Sequence, residues 1–214
     1  MPFKLTKPVK GYYGAHKELI PIFDGVELGT WAIDCAAMDF FLQKLDVIRP
    51  NVVLEFGSGC STCLFAYWMA KNNPDGLIVS VEQHKEEADR NEKRIAQLGF
   101  ADHLKMIVLP QNERDEYIVD RSAISDAMNG RRVDFLFADG PAGKSGCRRN
   151  TLPDSLDLLN DTAYWFLHDS LRTPELDILR DWAKIPNVTV DGVVPLGKGI
   201  GIGTWQRGAK TANA

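Results

Sequence analysis

Asn51-Val52-Val53-Leu54-Glu55-Phe56-Gly57-Ser58-Gly59-Cys60-Ser61-Thr62 is the stretch on which the fold turns. Five residues, apolar except for one acid, run straight into a glycine turn, and an amphipathic segment begins at Ser61. A strand buried on both faces reads as a continuous apolar run, and glycines let the next turn bend sharply toward a helix. The same alternation continues downstream. Further strands are expected over 77–82, 104–109, 133–138 and 163–167. Helices are expected over 33–47, 61–71, 86–98 and from Thr173-Pro174 to just before Pro186. In the first, Met38, Phe41, Leu42, Leu45 and Ile48 share a face; in the third, Ala88, Ile95 and Leu98; in the last, Leu176, Leu179, Trp182 and Ala183. Alternating strands and crossover helices predict an α/β fold with a parallel sheet and helices on both sides. Residues 188–194 and 199–206 break the rhythm, since only 195–198 separate them, and they predict an antiparallel hairpin.

The rest of the chain sets limits. Its 214 residues suit one domain, divided here into an irregular arm (1–30), an α/β core (31–206) and a tail (207–214). The formal net charge of −4 points to no nucleic-acid partner, and no apolar run has the length of a membrane span. The expectation is a soluble cytoplasmic protein, with monomer and homodimer both open. Four cysteines at this length read as reduced thiols, and Cys60-x-x-Cys63 lacks the second pair or histidines that would complete a metal cage.

The glycine turn with Glu82, about 20 residues on and closing the second strand, is the arrangement that binds a nucleoside: backbone approaches the ligand closely and a carboxylate accepts both ribose hydroxyls. Two residues separate kinds of nucleoside. Thr62 stands where a dinucleotide site wants a third small residue. Glu55 would repel a diphosphate but suits a ligand with a cationic end. Ser58, Ser61 and Thr62, at the helix start, can hydrogen-bond a ligand carboxylate or simply cap the helix.

Val53-Leu54-Glu55-Phe56-Gly57-Ser58-Gly59 with Ser61-Thr62, then Glu82, then Asp139-Gly140-Pro141, resembles the class I methyltransferases, in particular the small branch with an E-F-G-S-G-x-S-T turn. The likeness covers roughly residues 30–206. It implies a three-layer α/β/α sandwich with a seven-stranded, mostly parallel sheet, S-adenosylmethionine as cofactor, Gly57 and Gly59 under its methionine moiety and Glu82 on its ribose. It places Asn112, after the third strand, at the adenine.

Ligands of open α/β sheets sit beyond the carboxyl ends of the strands. The fourth strand ends in Asp139 and the fifth in His168-Asp169, so these three are the candidates to position an acceptor and remove its proton. The arrangement is similar to metal-dependent O-methyltransferases of the catechol type, where acids at these strand ends hold a divalent ion. Asp139, His168 and Asp169 are therefore also candidate metal ligands, with histidine favouring softer ions than magnesium. Without a metal, His168 or Asp139 is the base. Residues 138–145 nearly spell a phosphate loop, but Ala138 replaces its first glycine and no apolar helix follows Ser145; Gly146 and Arg148-Arg149-Asn150 suggest a mobile loop instead. Lys144, Arg148, Arg149 and Arg172 would gather positive charge near the acceptor site, which suits an anionic small molecule or glycan. The expected activity is methyl transfer to oxygen on such an acceptor. A nicotinamide-dependent oxidoreductase and a non-catalytic binding protein on the same fold remain the competing readings.

Overall fold

Residues 3–4, 19–23, 27–28 and 32–208 are described in a computed structural model of the chain. In chain order these form β1 (Phe3–Lys4), α1 (Ile20–Phe23), β2 (Glu27–Leu28), α2 (Cys35–Ile48), β3 (Val52–Phe56), α3 (Cys60–Asn72), β4 (Leu77–Glu82) and α4 (Lys85–Gln97). Then follow β5 (Leu104–Val108), α5 (Arg121–Ala127), β6 (Val133–Ala138), β7 (Leu159–His168), α6 (Thr173–Trp182), β8 (Val188–Val194) and β9 (Ile200–Gln206).

Seven strands form one sheet in the order β5-β4-β3-β6-β7-β9-β8. Strands β3 to β7 pair in parallel, and β9 runs antiparallel between β7 and β8. This is the Rossmann-like α/β/α fold that the alternation predicts. The strand order reverses between β3 and β6, which opens a crevice above their carboxyl ends. That crevice carries the candidate site.

Successive side chains of β3 divide between two cores: Val53 faces α2, α3 and α4, while Val52, Leu54 and Phe56 face α5 and α6. On the first face Phe41 of α2 makes edge contacts with Phe65, Phe137 and Phe166, which seats the helix across the sheet. Helix α2 starts where the Asp34 carboxylate accepts from Ala37 N at 2.8 Å. No helix among the described residues is long and apolar enough to cross a membrane.

Several expectations need correction. On α6, Leu179 and Trp182 are buried as expected and Leu176 packs partly against the same core, but Ala183 is exposed, and Glu175 and Ile178 complete the buried face. The strand expected over 163–167 is β7, which begins at Leu159. Its polar start is held by the sheet: Asn160 Nδ2 donates to Asp134 Oδ1 at 2.8 Å, and Arg207 Nη2 donates to Leu159 O at 2.9 Å. Helix α5 was not expected, because Arg121-Ser122-Ala123-Ile124 offers one apolar anchor; Asp120 caps it by accepting from Ala123 N at 3.0 Å. In the arm expected to be irregular, β1 pairs with β2, and Leu19, Ile22 and Phe23 pack into the core beside α2 and α3. The remainder of that arm, and the tail beyond residue 208, lie outside the described residues.

Candidate active site

At the end of β3 the chain turns through Gly57, whose φ of +93° belongs to the region only glycine adopts freely. The Phe56 carbonyl accepts from both Asp139 N at 2.9 Å and Gly140 N at 2.6 Å, so the turns after β3 and β6 are stitched together. Gly59 has the opposite surroundings. A Cβ there would meet nothing within 4 Å and would project into open space. That space is a cavity of about 930 Å³ whose walls include Gly57, Ser58, Gly59, Glu82, Asp139 and Arg148.

Glu55 stands behind this wall. Strand β3 is covered on both faces, and the carboxylate is fully buried. Ser61 Oγ donates to its Oε1 at 2.5 Å, and Thr62 Oγ1 and Ser80 Oγ donate to Oε2 at 2.5 and 2.6 Å. Thr62 Oγ1 in turn accepts from Gly59 N at 2.8 Å. Glu55, Ser61 and Thr62 therefore spend their side chains on holding the glycine turn to the sheet. Glu55, expected to meet a cationic ligand, is turned away from the cavity, and of the two readings for the hydroxyls Thr62 takes the capping one, while Ser61 also lines the cavity. Burial pushes the Glu55 carboxyl up to about 7, against the pull of the Ser61, Ser80 and Thr62 hydroxyls. Ser80 was missed. Its signal was a lone polar residue inside apolar β4, directly opposite Glu55 in register.

Glu82 closes β4 and faces the cavity. Its Oε2 accepts from Ser58 N at 3.1 Å and Ser58 Oγ at 2.8 Å, and its Oε1 from Gln83 N at 2.8 Å and His84 N at 3.1 Å. Asn91, buried on α4, donates to Ser58 Oγ at 2.8 Å and so positions that hydroxyl. Asn112 does not reach this site. It is exposed and builds its own turn, its Oδ1 accepting from Arg114 N at 2.8 Å and Glu116 N at 3.1 Å. The neighbouring wall is made instead by Gln83, whose amide exchanges two hydrogen bonds with the Ala142 backbone at 3.0 and 2.9 Å.

Beyond β6 and β7 the three expected residues come together. His168 Nδ1 lies 2.7 Å from Asp139 Oδ1 and 3.6 Å from Asp169 Oδ1. Asp169 adopts φ +60°, which aspartate tolerates, and the turn it begins docks on the β8–β9 hairpin through Ser170 N to Gly199 O and Leu171 N to Lys198 O. That docking brings Lys198 Nζ to 3.8 Å from Asp169 Oδ1, a neighbour 29 positions away in sequence that no motif marks. Burial works against the Asp139 carboxylate, but His168, Arg148 and Lys198 outweigh it and hold the group below the usual range.

The four basic residues are divided by the fold. Arg148 is buried, with Nη2 3.3 Å from Asp139 Oδ1 and Nη1 3.1 Å from Asp169 Oδ2. Arg172 reaches Asp169 Oδ2 at 3.0 Å and grips Glu175 through Nε at 3.0 Å and Nη2 at 2.5 Å. Lys144 turns away, donating through Nζ to Glu113 O at 2.7 Å, and Arg149 pairs with Asp181. Each of the four has an anionic or carbonyl partner, and of the four only Arg148 lines the cavity, so the expected basic patch of four is not gathered there. The segment around Arg148 is packed, not mobile: Thr151 Oγ1 donates to Arg148 O at 2.8 Å, and Asn150 Nδ2 to Tyr117 O at 2.6 Å. Cys35, Cys60, Cys63 and Cys147 form no disulfide among the described residues, and burial raises the Cys60 and Cys63 thiols to about 12 and about 11.

Residues 54–170 match the sequence model of a family described as "Methyltransferase domain". No curated protein matches the chain. Among solved structures, a methyltransferase from Geobacter sulfurreducens is 17% identical with a TM-score of 0.61, covering 83% of this chain and 82% of its own. The O-methyltransferase TomG from Streptomyces achromogenes, involved in tomaymycin synthesis and solved with SAM, is 16% identical with a TM-score of 0.63, covering 85% and 84%. An O-methyltransferase from Bacillus cereus, solved with SAH, is 12% identical with a TM-score of 0.62, covering 84% of each chain. At these identities the likeness is one of fold.

Proposed function

The chain belongs to this methyltransferase domain family, and we propose that it transfers the methyl group of S-adenosylmethionine to an oxygen of a small-molecule acceptor. One observation carries the reading. The Phe56 carbonyl binds the backbone of both Asp139 and Gly140, so the acid that holds His168 is fastened to the glycine turn that opens onto the cavity. The cavity and the acid that holds the candidate base thus share one wall. Solved neighbours of the same fold that carry SAM or SAH support the choice of cofactor.

When bound, the sulfonium supplies a methyl group that needs only a nucleophile in line with the carbon–sulfur bond. The chain's own residues do the remainder. Gly59 leaves room for the methionine portion because it presents no Cβ to the cavity. Glu82 meets the ribose by exchanging the Ser58 hydroxyl for ligand hydroxyls while keeping its backbone donors. Asp139, held ionised, accepts the Nδ1 proton of His168 and leaves Nε2 as the atom that receives the acceptor's proton. Nearly complete burial of His168, 2% exposed, keeps bulk water from competing for that site.

Calorimetry with S-adenosylhomocysteine tests the cofactor assignment. Binding at micromolar concentration is expected. Failure of the folded protein to bind at millimolar ligand, or tighter binding of NADH, would overturn it. Acceptor oxygens are then sought by following S-adenosylhomocysteine release across phenols, hydroxy acids and sugars.

A further inference from the structure

Asp139, His168 and Asp169 present ligand-type atoms within 4.8 Å of one another, a grouping that by spacing alone could hold a metal ion. The surroundings of those atoms decide otherwise. The Arg148 guanidinium lies between the two carboxylates, 3.3 Å from Asp139 Oδ1 through Nη2 and 3.1 Å from Asp169 Oδ2 through Nη1. Its Nη1 also donates to the His168 carbonyl at 3.2 Å. We propose that Arg148 is the built-in cation of this cluster, that it sets the Asp139–His168 pair in place, and that the site takes no divalent metal.

Charge is the first argument. Asp139, Asp169 and Glu175 are matched by Arg148, Arg172 and Lys198 within ion-pair distance, so the cluster is balanced before any ion arrives. A guanidinium cannot be neutralised by losing a proton, and Arg148 is 3% exposed, so a dication entering here would face a fixed positive charge.

Geometry is the second. The 2.7 Å between His168 Nδ1 and Asp139 Oδ1 is a hydrogen-bond distance, with a proton between the atoms. Metal–ligand bonds of about 2.0–2.2 Å hold neighbouring ligand atoms about 3 Å apart or more, and they require a ring nitrogen stripped of its proton. Asp169 Oδ1 is buried without a hydrogen-bond partner. Facing it are His168 Nδ1 at 3.6 Å, whose proton is directed at Asp139, and the Lys198 ammonium at 3.8 Å, so donors stand where a metal site would present lone pairs.

The inference rests on the cluster itself and not on the proposed methyl transfer. Its test is direct binding of Mn²⁺, followed by the loss of the free-ion electron paramagnetic resonance signal, and of Zn²⁺ by calorimetry. Wild-type protein is expected to take up neither ion at any site that Asp169→Asn abolishes. Arg148→Met, which keeps the stem and removes the charge, is expected to gain Mn²⁺ affinity by at least about tenfold, and Asp169→Asn in the same chain should erase the gain. A merely structural arginine would not produce that gain. Stoichiometric metal binding by the wild type, lost in Asp169→Asn, overturns the proposal; so does a folded Arg148→Met protein with unchanged Mn²⁺ uptake. Arg148→Gln serves if the methionine variant does not fold. S-adenosylhomocysteine binding in the same preparations reports separately on the methyl-transfer reading.

Discussion

Gly57 and Gly140 pass so close that a Cβ on either would lie 2.7 Å from the other's backbone. The contact joins the turns after β3 and β6 and forms the floor of the cavity. Gly57→Ala would add both this clash and a strained φ, and is expected to cost at least about 2 kcal/mol of stability. Gly59→Ala has room for its methyl group, so its denaturation midpoint should stay within about 0.5 kcal/mol of wild type. Its S-adenosylhomocysteine affinity should nevertheless fall by at least about tenfold. Parallel urea titrations and calorimetry separate the two roles. Equal effects of the two substitutions on stability would contradict them.

Glu55 makes stability depend on pH. Its carboxyl is raised from 4.5 to about 7 in the folded protein, so the folded state holds the proton more tightly than the unfolded chain. The associated stability is fully present below about pH 4.5 and is lost as pH rises through about 7, by an amount on the order of a few kcal/mol. Glu55→Gln should flatten that dependence. The measurement is the difference between wild-type and variant unfolding free energies across this range, and a difference independent of pH would sink the idea.

His168→Gln keeps the bulk of the side chain and removes the base. Turnover is expected to fall by about 10²- to 10⁴-fold, with S-adenosylhomocysteine affinity within about threefold of wild type because the ring does not line the nucleoside cavity. Single-turnover kinetics with calorimetry on the same sample would check both halves. Unchanged turnover would remove His168 from the chemistry.

Glu82→Gln tests the ribose contact. The amide can still accept from some of the four donors now gathered on the carboxylate, so the fold should persist. Loss of charge-assisted bonds to two ligand hydroxyls should weaken S-adenosylhomocysteine by about 10- to 100-fold. Wild-type affinity in this variant would place the nucleoside elsewhere.

The α/β alternation, the boundaries of β4, β6 and β8, and the antiparallel hairpin were legible in the chain because each is written locally. Apolar runs, glycine turns and short connections depend on neighbours in sequence. The polar start of β7 and the short helix α5 were not legible, since Asn160 and Ile124 find their partners only across the fold.

For the site, sequence alone determined which residues gather at the strand ends: the glycine turn, Glu82, Asp139, His168 and Asp169 all follow from where strands stop. Only the tertiary structure decided what each side chain faces. Glu55 looked like a ligand contact and is a buried anchor, because Ser80 stands opposite it on the next strand. The basic loop looked like an acceptor patch and instead sends Arg148 inward between two acids while Lys144 and Arg149 turn out. Charge recognition depends on distance in space, and residues 29 apart in the chain, such as Asp139 and His168 or Asp169 and Lys198, acquire that distance only on folding.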